Sequence, residues 1–162
     1  MKQLVVFDID GTLANCEHRM HHIKPVPAID PVTGRKVKRR FDLFHKACVD
    51  DTPITPVVDI FLRMVADPNV IVVLLTGRPM SARYDTTQWF TKHGLDGYDE
   101  LFTKPSGQDM MPDKQQKLMI AEHIEKKYGM PISMVFEDRA RVVEMWKERG
   151  TFVLNVEQKP AD

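Results

Sequence analysis

Three short, continuous apolar runs, each ending abruptly in polar residues, frame the chain. Leu4 to Phe7 ends in Asp8, Ile9, Asp10, Gly11 and Thr12; Val70 to Leu75 ends in Thr76, Gly77 and Arg78; Ile132 to Phe136 ends in Glu137 and Asp138. Unbroken β-branched and aliphatic runs of this length belong to strands covered on both faces, as in a parallel sheet, not to half-exposed strands with alternating polarity. Between them the period changes. Val57, Val58, Phe61, Leu62 and Val65 recur at helical spacing, which predicts a helix over Pro56 to Ala66 with Pro56 in its first turn. Met80 to His93 reads as a helix turning Trp89 and Phe90 to the core, and Tyr98 to Thr103 as another strand. Lys104 to Pro112, rich in Gly, Pro and Ser, reads as a mobile loop. A helix starts near Pro112 and Asp113, with Lys117, Ile120, Ala121, Ile124 and Tyr128 along one face. Arg139 to Arg149 reads as a helix with Val142, Val143 and Trp146 inward, and Thr151 to Asn155 as a last strand. Strands alternating with helices in this way predict an α/β fold, a doubly wound and mainly parallel sheet.

The regular pattern is interrupted once. From Ala14 to about Pro53 the chain carries Pro25, Pro27 and Pro31, which break any helix starting near Asn15. Val32, Thr33 and Gly34 suggest the turn of a small hairpin, and Phe41, Phe44 and Ala47 a short helix. We read this as a small insertion, at about 14–53, after the first strand of a single domain spanning 1–162. A chain of 162 residues, 43% apolar and 28% charged, is long enough for one well-buried domain. Its 23 basic and 23 acidic residues cancel, so no global charge advertises nucleic acid. The exception is local: Arg35, Lys36, Lys38, Arg39 and Arg40 crowd onto the hairpin, either as a solvated face or as contacts to a phosphate backbone.

Several classes are disfavoured. No apolar run approaches a membrane span, and the amino terminus enters a strand at once instead of a signal peptide, so a cytoplasmic location and no membrane partner are expected. Cys16 and Cys48 are too few for a disulfide framework. No Gly-x4-Gly-Lys-Ser/Thr loop is present, which disfavours a kinase of that kind.

The chemistry lies at the strand ends, where ligands bind in open α/β sheets. Asp8 and Asp10, two positions apart, can share a hard cation such as Mg²⁺ through oxygen ligands, while one remains free to attack or to move protons. Asp-x-Asp-Gly also occurs in calcium loops, but those require a preceding helix and a later Glu, and here a strand precedes. Thr76 and Gly77 can hold phosphate oxygens through hydroxyl and amide, and Arg78 supplies a fork suited to phosphate. Lys117 on an inward face needs an anionic partner. Glu137 and Asp138 can complete a magnesium site, because Mg²⁺ keeps waters and takes substrate phosphate. His18, His21, His22 and His45 lack the paired spacing of a zinc site, whereas His18 and Arg19 follow the first loop closely enough to touch substrate.

LVVFDIDGTLA resembles the first motif of the haloacid dehalogenase (HAD) superfamily, and Thr76, Lys117 and the Glu137–Asp138 pair follow in the order of its remaining motifs. FEDRARVVEMWKERG, with Lys117 upstream, and RRFDLFHKACVDDTPITP further resemble the 3′-phosphatase domain of bacteriophage polynucleotide kinase-phosphatase and its stand-alone relatives. The resemblance implies a HAD-like Rossmannoid fold and a Mg²⁺-dependent phosphomonoester hydrolase. By it Asp8 is the nucleophile, and Asp10 protonates the leaving oxygen and then activates water. Thr76, Gly77, Arg78 and Lys117 bind the phosphoryl group, and Asp8, Asp10, Glu137 and Asp138 serve the metal. His18, Arg19, Arg35, Lys36, Lys38, Arg39 and Arg40 are candidate substrate contacts. The implied substrate is a 3′-phosphate at a nucleic-acid end, with a small-molecule nucleotidase, or a HAD-like binding module without catalysis, as alternatives. Glu137 stands where the family often has Asp.

Overall fold

The computed structural model describes residues 1–108 and 110–158. Asp109, within the loop expected at 104–112, and residues 159–162 of the expected domain lie outside the described residues. Five strands form one parallel sheet: β1 (Gln3–Phe7), β4 (Val70–Pro79), β5 (Glu100–Lys104), β6 (Met134–Glu137) and β7 (Val153–Asn155), in the order β5-β4-β1-β6-β7. Side chains along β1 alternate between two cores, as a pleated strand requires. Val5 and Phe7 pack with Val72, Leu74 and Phe61 on one face, whereas Leu4 and Val6 pack with Val73, Leu75, Val135 and Trp146 on the other. Both faces are apolar because both are covered. α2 (Thr55–Val65) and α3 (Arg83–Lys92) supply one layer, α4 (Asp113–Tyr128) and α5 (Ala140–Glu148) the other. This is the HAD-like, doubly wound α/β fold. No described helix is long and apolar enough to cross a membrane.

Between β1 and α2 the chain makes a pair of two-residue strands, β2 (Ala14–Asn15) and β3 (Thr52–Pro53), joined antiparallel. They close the base of the intervening segment, which holds a 3₁₀ turn (Glu17–His22), the short helix α1 (Phe41–Lys46) and a second 3₁₀ turn (Ala47–Asp50). The hairpin at its tip is minimal. A single bridge joins Ile29 to Lys36, and the Gly34 amide donates to the Asp30 carbonyl at 2.8 Å.

One boundary differs in a way that matters for the site. The apolar run predicts a strand ending at Leu75, but β4 continues to Pro79, with Thr76, Gly77 and Arg78 inside it. An irregularity in the pairing between Leu75 and Pro79 lets the strand carry polar residues without losing β5, and Pro79 still pairs with Lys104. The helix expected from Met80 begins as a 3₁₀ turn (Met80–Ala82) and becomes α-helical at Arg83.

β1 is held from one face by an aromatic stack. Phe7 lies 4.3 Å from Phe136 in parallel and 5.3 Å from Phe61 edge-on, all three buried. Phe61→Ala removes the edge-on ring and leaves a cavity under the first strand, so a loss of about 3–5 kcal/mol is expected in urea denaturation. A loss under about 1 kcal/mol would show that α2 does not brace β1.

Candidate active site

The order of the strands explains where the polar residues meet. From β1 the chain runs outward to β4 and β5, then crosses back to β6 on the other side of β1, so the carboxyl end of β1 is the crevice where the winding reverses. Phe7 is in register with Leu74 and with Phe136, which brings Asp8 level with Glu137 and beside the extension of β4. α4 crosses this end and buries Lys117, whose Nζ donates to Asp8 Oδ1 at 2.7 Å and to Glu137 Oε2 at 2.8 Å. Glu137 is held from its other oxygen. Oε1 accepts the amides of Asp138 and Arg139, each at 3.2 Å. Asp138 comes next, with its Oδ1 at 3.3 Å and Asp8 Oδ2 at 3.2 Å from the same Thr12 hydroxyl. Oxygens of Asp8, Glu137 and Asp138 all lie within 4.8 Å of one another, the one such group with metal-binding spacing among the described residues. Gly11 makes that approach possible: a Cβ there would sit 2.1 Å from an Asp138 oxygen, and its φ of +81° suits glycine alone.

Asp10 belongs to a different set. Its Oδ1 accepts from Arg19 Nη2 at 2.6 Å and from Arg78 Nη2 and Nε at 2.6 and 3.1 Å. Both guanidiniums also reach the buried Asp51, Arg19 through Nε and Nη2 at 2.7 Å and Arg78 through Nη2 at 3.0 Å. Arg78 Nη1 ends on Thr86 and Arg19 Nη1 on the Phe44 carbonyl. The sum over this quartet is zero: two carboxylates, two guanidiniums.

The Asp8 cluster is not balanced. Three carboxyl groups face one ammonium in a largely buried place, which would leave two negative charges in excess if all three were ionised. The titration behaviour follows. Burial, then the neighbouring Asp8, push the Asp138 carboxyl up to about 8. Glu137 is raised by burial and Asp8, with Lys117 opposing. Burial would lower Lys117, but Asp8 and then Glu137 hold it well above its ordinary value. In the balanced quartet the sign reverses: burial would raise Asp10, yet Arg78 and then Arg19 outweigh it and hold the carboxyl far below the usual range. The two groups of acids thus differ in kind, one ionised and matched, the other crowded and short of positive charge.

Several of the expected site residues contact other protein groups. Arg78, expected to face phosphate, is fully buried with Nε, Nη1 and Nη2 all engaged by protein oxygens. Arg19, expected as a substrate contact, is equally buried. Asp10, expected among the metal carboxylates, turns its carboxylate toward these two guanidiniums and away from the group of three. His18 pairs with Asp51 at 2.8 Å. Thr76 is buried and its hydroxyl accepts the Arg78 amide at 3.1 Å. Gly77 stays bare because the Asp113 carboxylate lies against it: a Cβ would fall 2.6 Å from Asp113 Oδ1. Arg35, Lys36, Lys38, Arg39 and Arg40 are exposed on the insertion, and among the described residues no hydrogen bond or ion pair joins them to the carboxylates; Arg40 pairs with Asp42 at 2.8 Å. Three residues escaped sequence reasoning. Asp51, Thr12 and Asp113 are separated from their partners by loops, and the only signal was the acidic pair Asp50–Asp51 ahead of a proline break.

Comparison with known proteins places this geometry. A model of the polynucleotide kinase PNKP phosphatase domain matches residues 28–160. No curated protein matches the chain. Among solved structures, a chain of a Pnkp1/Rnl/Hen1 complex is 25% identical at a TM-score of 0.72, over 99% of this chain and 48% of that one. A chain of a Pnkp1/Rnl/Hen1 RNA repair complex is 24% identical at 0.71, over 97% and 43%. The protein thus spans less than half the length of either. A HAD family enzyme from Bacteroides thetaiotaomicron, in complex with magnesium and inorganic phosphate, shares the fold at 13% identity and a TM-score of 0.58, over 99% and 97%.

The crowded acids make stability depend on pH in a defined window. With Asp138 near 8 in the folded protein and 3.8 as its ordinary value, the native state keeps a proton that the unfolded chain has lost, so stability falls as pH rises toward 8. His45, buried and pushed down to about 4 from 6.5, acts only at lower pH, where its neutral native form disfavours folding. In EDTA, the melting temperature is therefore expected to fall between pH 6.5 and pH 8. Asp138→Asn should flatten that slope, and an unchanged slope would contradict the assignment.

Proposed function

The chain belongs to the polynucleotide kinase PNKP phosphatase-domain family, within the HAD-type phosphatases, and from that premise we propose that it removes 3′-phosphate groups from nucleic-acid ends, with Mg²⁺, through an aspartyl-phosphate on Asp8. The observation that carries the reading is the trio of Asp8, Glu137 and Asp138 at the reversal point of the sheet, ion-paired among the described residues through Lys117. An all-oxygen set carrying excess negative charge fits Mg²⁺, which is content with few protein carboxylates. The metal held there would neutralise charge on the phosphoryl oxygens. The likeness to a chain from an RNA repair complex supports a nucleic-acid end as substrate. We take residues 1–162 as one catalytic domain with an insertion at about 14–53.

The roles follow from the contacts. Asp8 sits at the mouth of the crevice, and its carboxylate oxygen attacks phosphorus in line, breaking the bond to the ribose oxygen. Lys117, fixed by Asp8 and Glu137, aligns the nucleophile and offers positive charge to the equatorial oxygens. The Thr76 hydroxyl and the Gly77 amide complete the phosphate cradle. Asp10 delivers a proton to the leaving oxygen and then takes one from the water that opens the aspartyl-phosphate. Its ionised state, imposed by Arg19 and Arg78, suits the second half directly; in the first half it relays to the leaving oxygen a proton taken from the monoanionic form of the substrate's phosphate. Arg19, Arg78 and Asp51 are accordingly positioning residues for Asp10.

The exposed cations Arg35, Lys36, Lys38 and Arg39 then serve the polymer, outside the chemistry. Magnesium-dependent phosphate release is to be compared on a 3′-phosphorylated oligonucleotide, its 5′-phosphorylated counterpart and a set of mononucleotides. Preference for the 3′-phosphorylated oligomer is expected. Replacing the four cations by Gln should raise KM for the oligomer and reduce its salt dependence, with less effect on mononucleotides. Equal or better turnover of mononucleotides by the unaltered protein would move the function to nucleotide metabolism.

A further inference from the structure

Beyond the carboxylates, β4 and β5 run on past the level at which β1 stops, and their ends enclose a second concavity. A cavity of about 200 Å³ opens there, lined by Pro79, Met80 and Ser81 on one side and Pro105, Ser106 and Gly107 on the other. Its place is fixed by the sheet: Pro79 pairs with Lys104 and directly follows Arg78, whose guanidinium holds Asp10. Asp8 is one residue beyond the Phe7–Leu74 pair, so Pro79 lies four residues further along β4 than Asp8's level, on the order of 10 Å, the reach of a nucleoside 3′-phosphate from phosphorus to base.

The lining suits a flat heterocycle. Met80 is about half exposed (51%) at the pocket, and a thioether packs favourably against an aromatic ring. The Ser106 hydroxyl lies 3.9 Å from the Met80 sulfur, so the two sides meet there, and Ser81 adds a second hydroxyl that can donate or accept at a base edge. The prolines make the opposite surfaces rigid, and Lys104, at the back, is tied to the Met111 carbonyl at 3.0 Å, which anchors the loop after β5. A larger cavity of about 310 Å³, lined by Phe102, Met119, Ile120 and His123 among others, opens against α4 and contains no residue of the Thr76–Ser81 segment that follows the Asp8 level of the sheet.

We propose that the pocket between Met80–Ser81 and Ser106–Gly107 is the subsite for the terminal base of the substrate, with Met80 as its packing surface and Ser81 and Ser106 as its polar contacts. This rests on the nucleic-acid reading of the active site and adds to it a selectivity for the base next to the scissile phosphate. It applies to a polymer end and to a nucleoside 3′-monophosphate alike.

The test compares kcat/KM for two 3′-phosphorylated oligonucleotides, one ending in an ordinary nucleotide and one in an abasic sugar, with glycerol phosphate as a third substrate. The unaltered protein is expected to favour the base-bearing end through a lower KM. Met80→Ala and Ser106→Trp should each reduce the base-bearing to abasic ratio about tenfold, the first by removing the packing surface and the second by filling the cavity. Both positions are exposed, so the folded state should tolerate the changes. In Asp8→Asn protein labelled at methionine methyl groups, the Met80 resonance should move upfield on adding a nucleoside 3′-monophosphate and not on adding inorganic phosphate. Equal turnover of base-bearing and abasic ends, or a ratio unmoved by both variants, overturns the subsite and leaves the nucleic-acid reading standing. Hydrolysis of glycerol phosphate with neither oligonucleotide cleaved overturns both.

Discussion

Two sets of carboxylates meet at one end of the sheet, and the cations each set pairs with decide what its acids can do. Asp10 and Asp51 take Arg19 and Arg78 in a closed set with no net charge. Asp8 and Glu137 share Lys117, and Asp138 makes no ion pair among the described residues. Burying unmatched like charges is costly, and among the described residues that cost falls at the Asp8 cluster, where a divalent cation and a phosphoryl group would relieve it. The result is a division of labour between acids two residues apart in sequence. Asp8 is at the crowded, metal-seeking pole, and Asp10 is locked into the matched one.

The rest of the molecule holds this division in place. The apolar stack of Phe7, Phe61 and Phe136 fixes the end of β1 from below, and parallel register brings Asp8 level with Glu137. Gly11 and Gly77 are bare because carboxylates of Asp138 and Asp113 occupy the volume a side chain would need. The insertion does more than present a surface. It carries Arg19 and Asp51 into the interior between the β2–β3 pair, so the matched quartet is built half from the core sheet and half from the inserted segment. Movement of the insertion would therefore be felt at Asp10.

The fold was legible because the burial of a parallel sheet leaves continuous apolar runs, and Leu4–Phe7, Val70–Leu75 and Ile132–Phe136 are such runs. Their polar ends pointed to the residues that gather around Asp8. Partner choice was not legible. Nothing in the spacing distinguishes an arginine that meets a ligand from one consumed by a buried acid, so Arg78 read as a phosphate contact, although Asp10, Asp51 and Thr86 take its donors. Asp51 was invisible for the same reason: it lies beyond an irregular, proline-broken segment, and its partners are set by tertiary closure. The continuation of β4 through Thr76 to Pro79 was hidden by the polarity of those residues, which a sheet tolerates here because the pairing with β5 is irregular.

The account turns on Asp8 being the group that becomes phosphorylated, with Asp10 beside it restricted to proton transfer. The most direct measurement is acid quenching during turnover of a substrate carrying ³²P in its 3′-phosphate, followed by mapping of the labelled residue. A hydroxylamine-sensitive acyl phosphate on Asp8, formed only with a divalent cation and absent from Asp8→Asn, is the predicted result. Label on Asp10 or Asp138, or turnover that persists in Asp8→Asn, would contradict it.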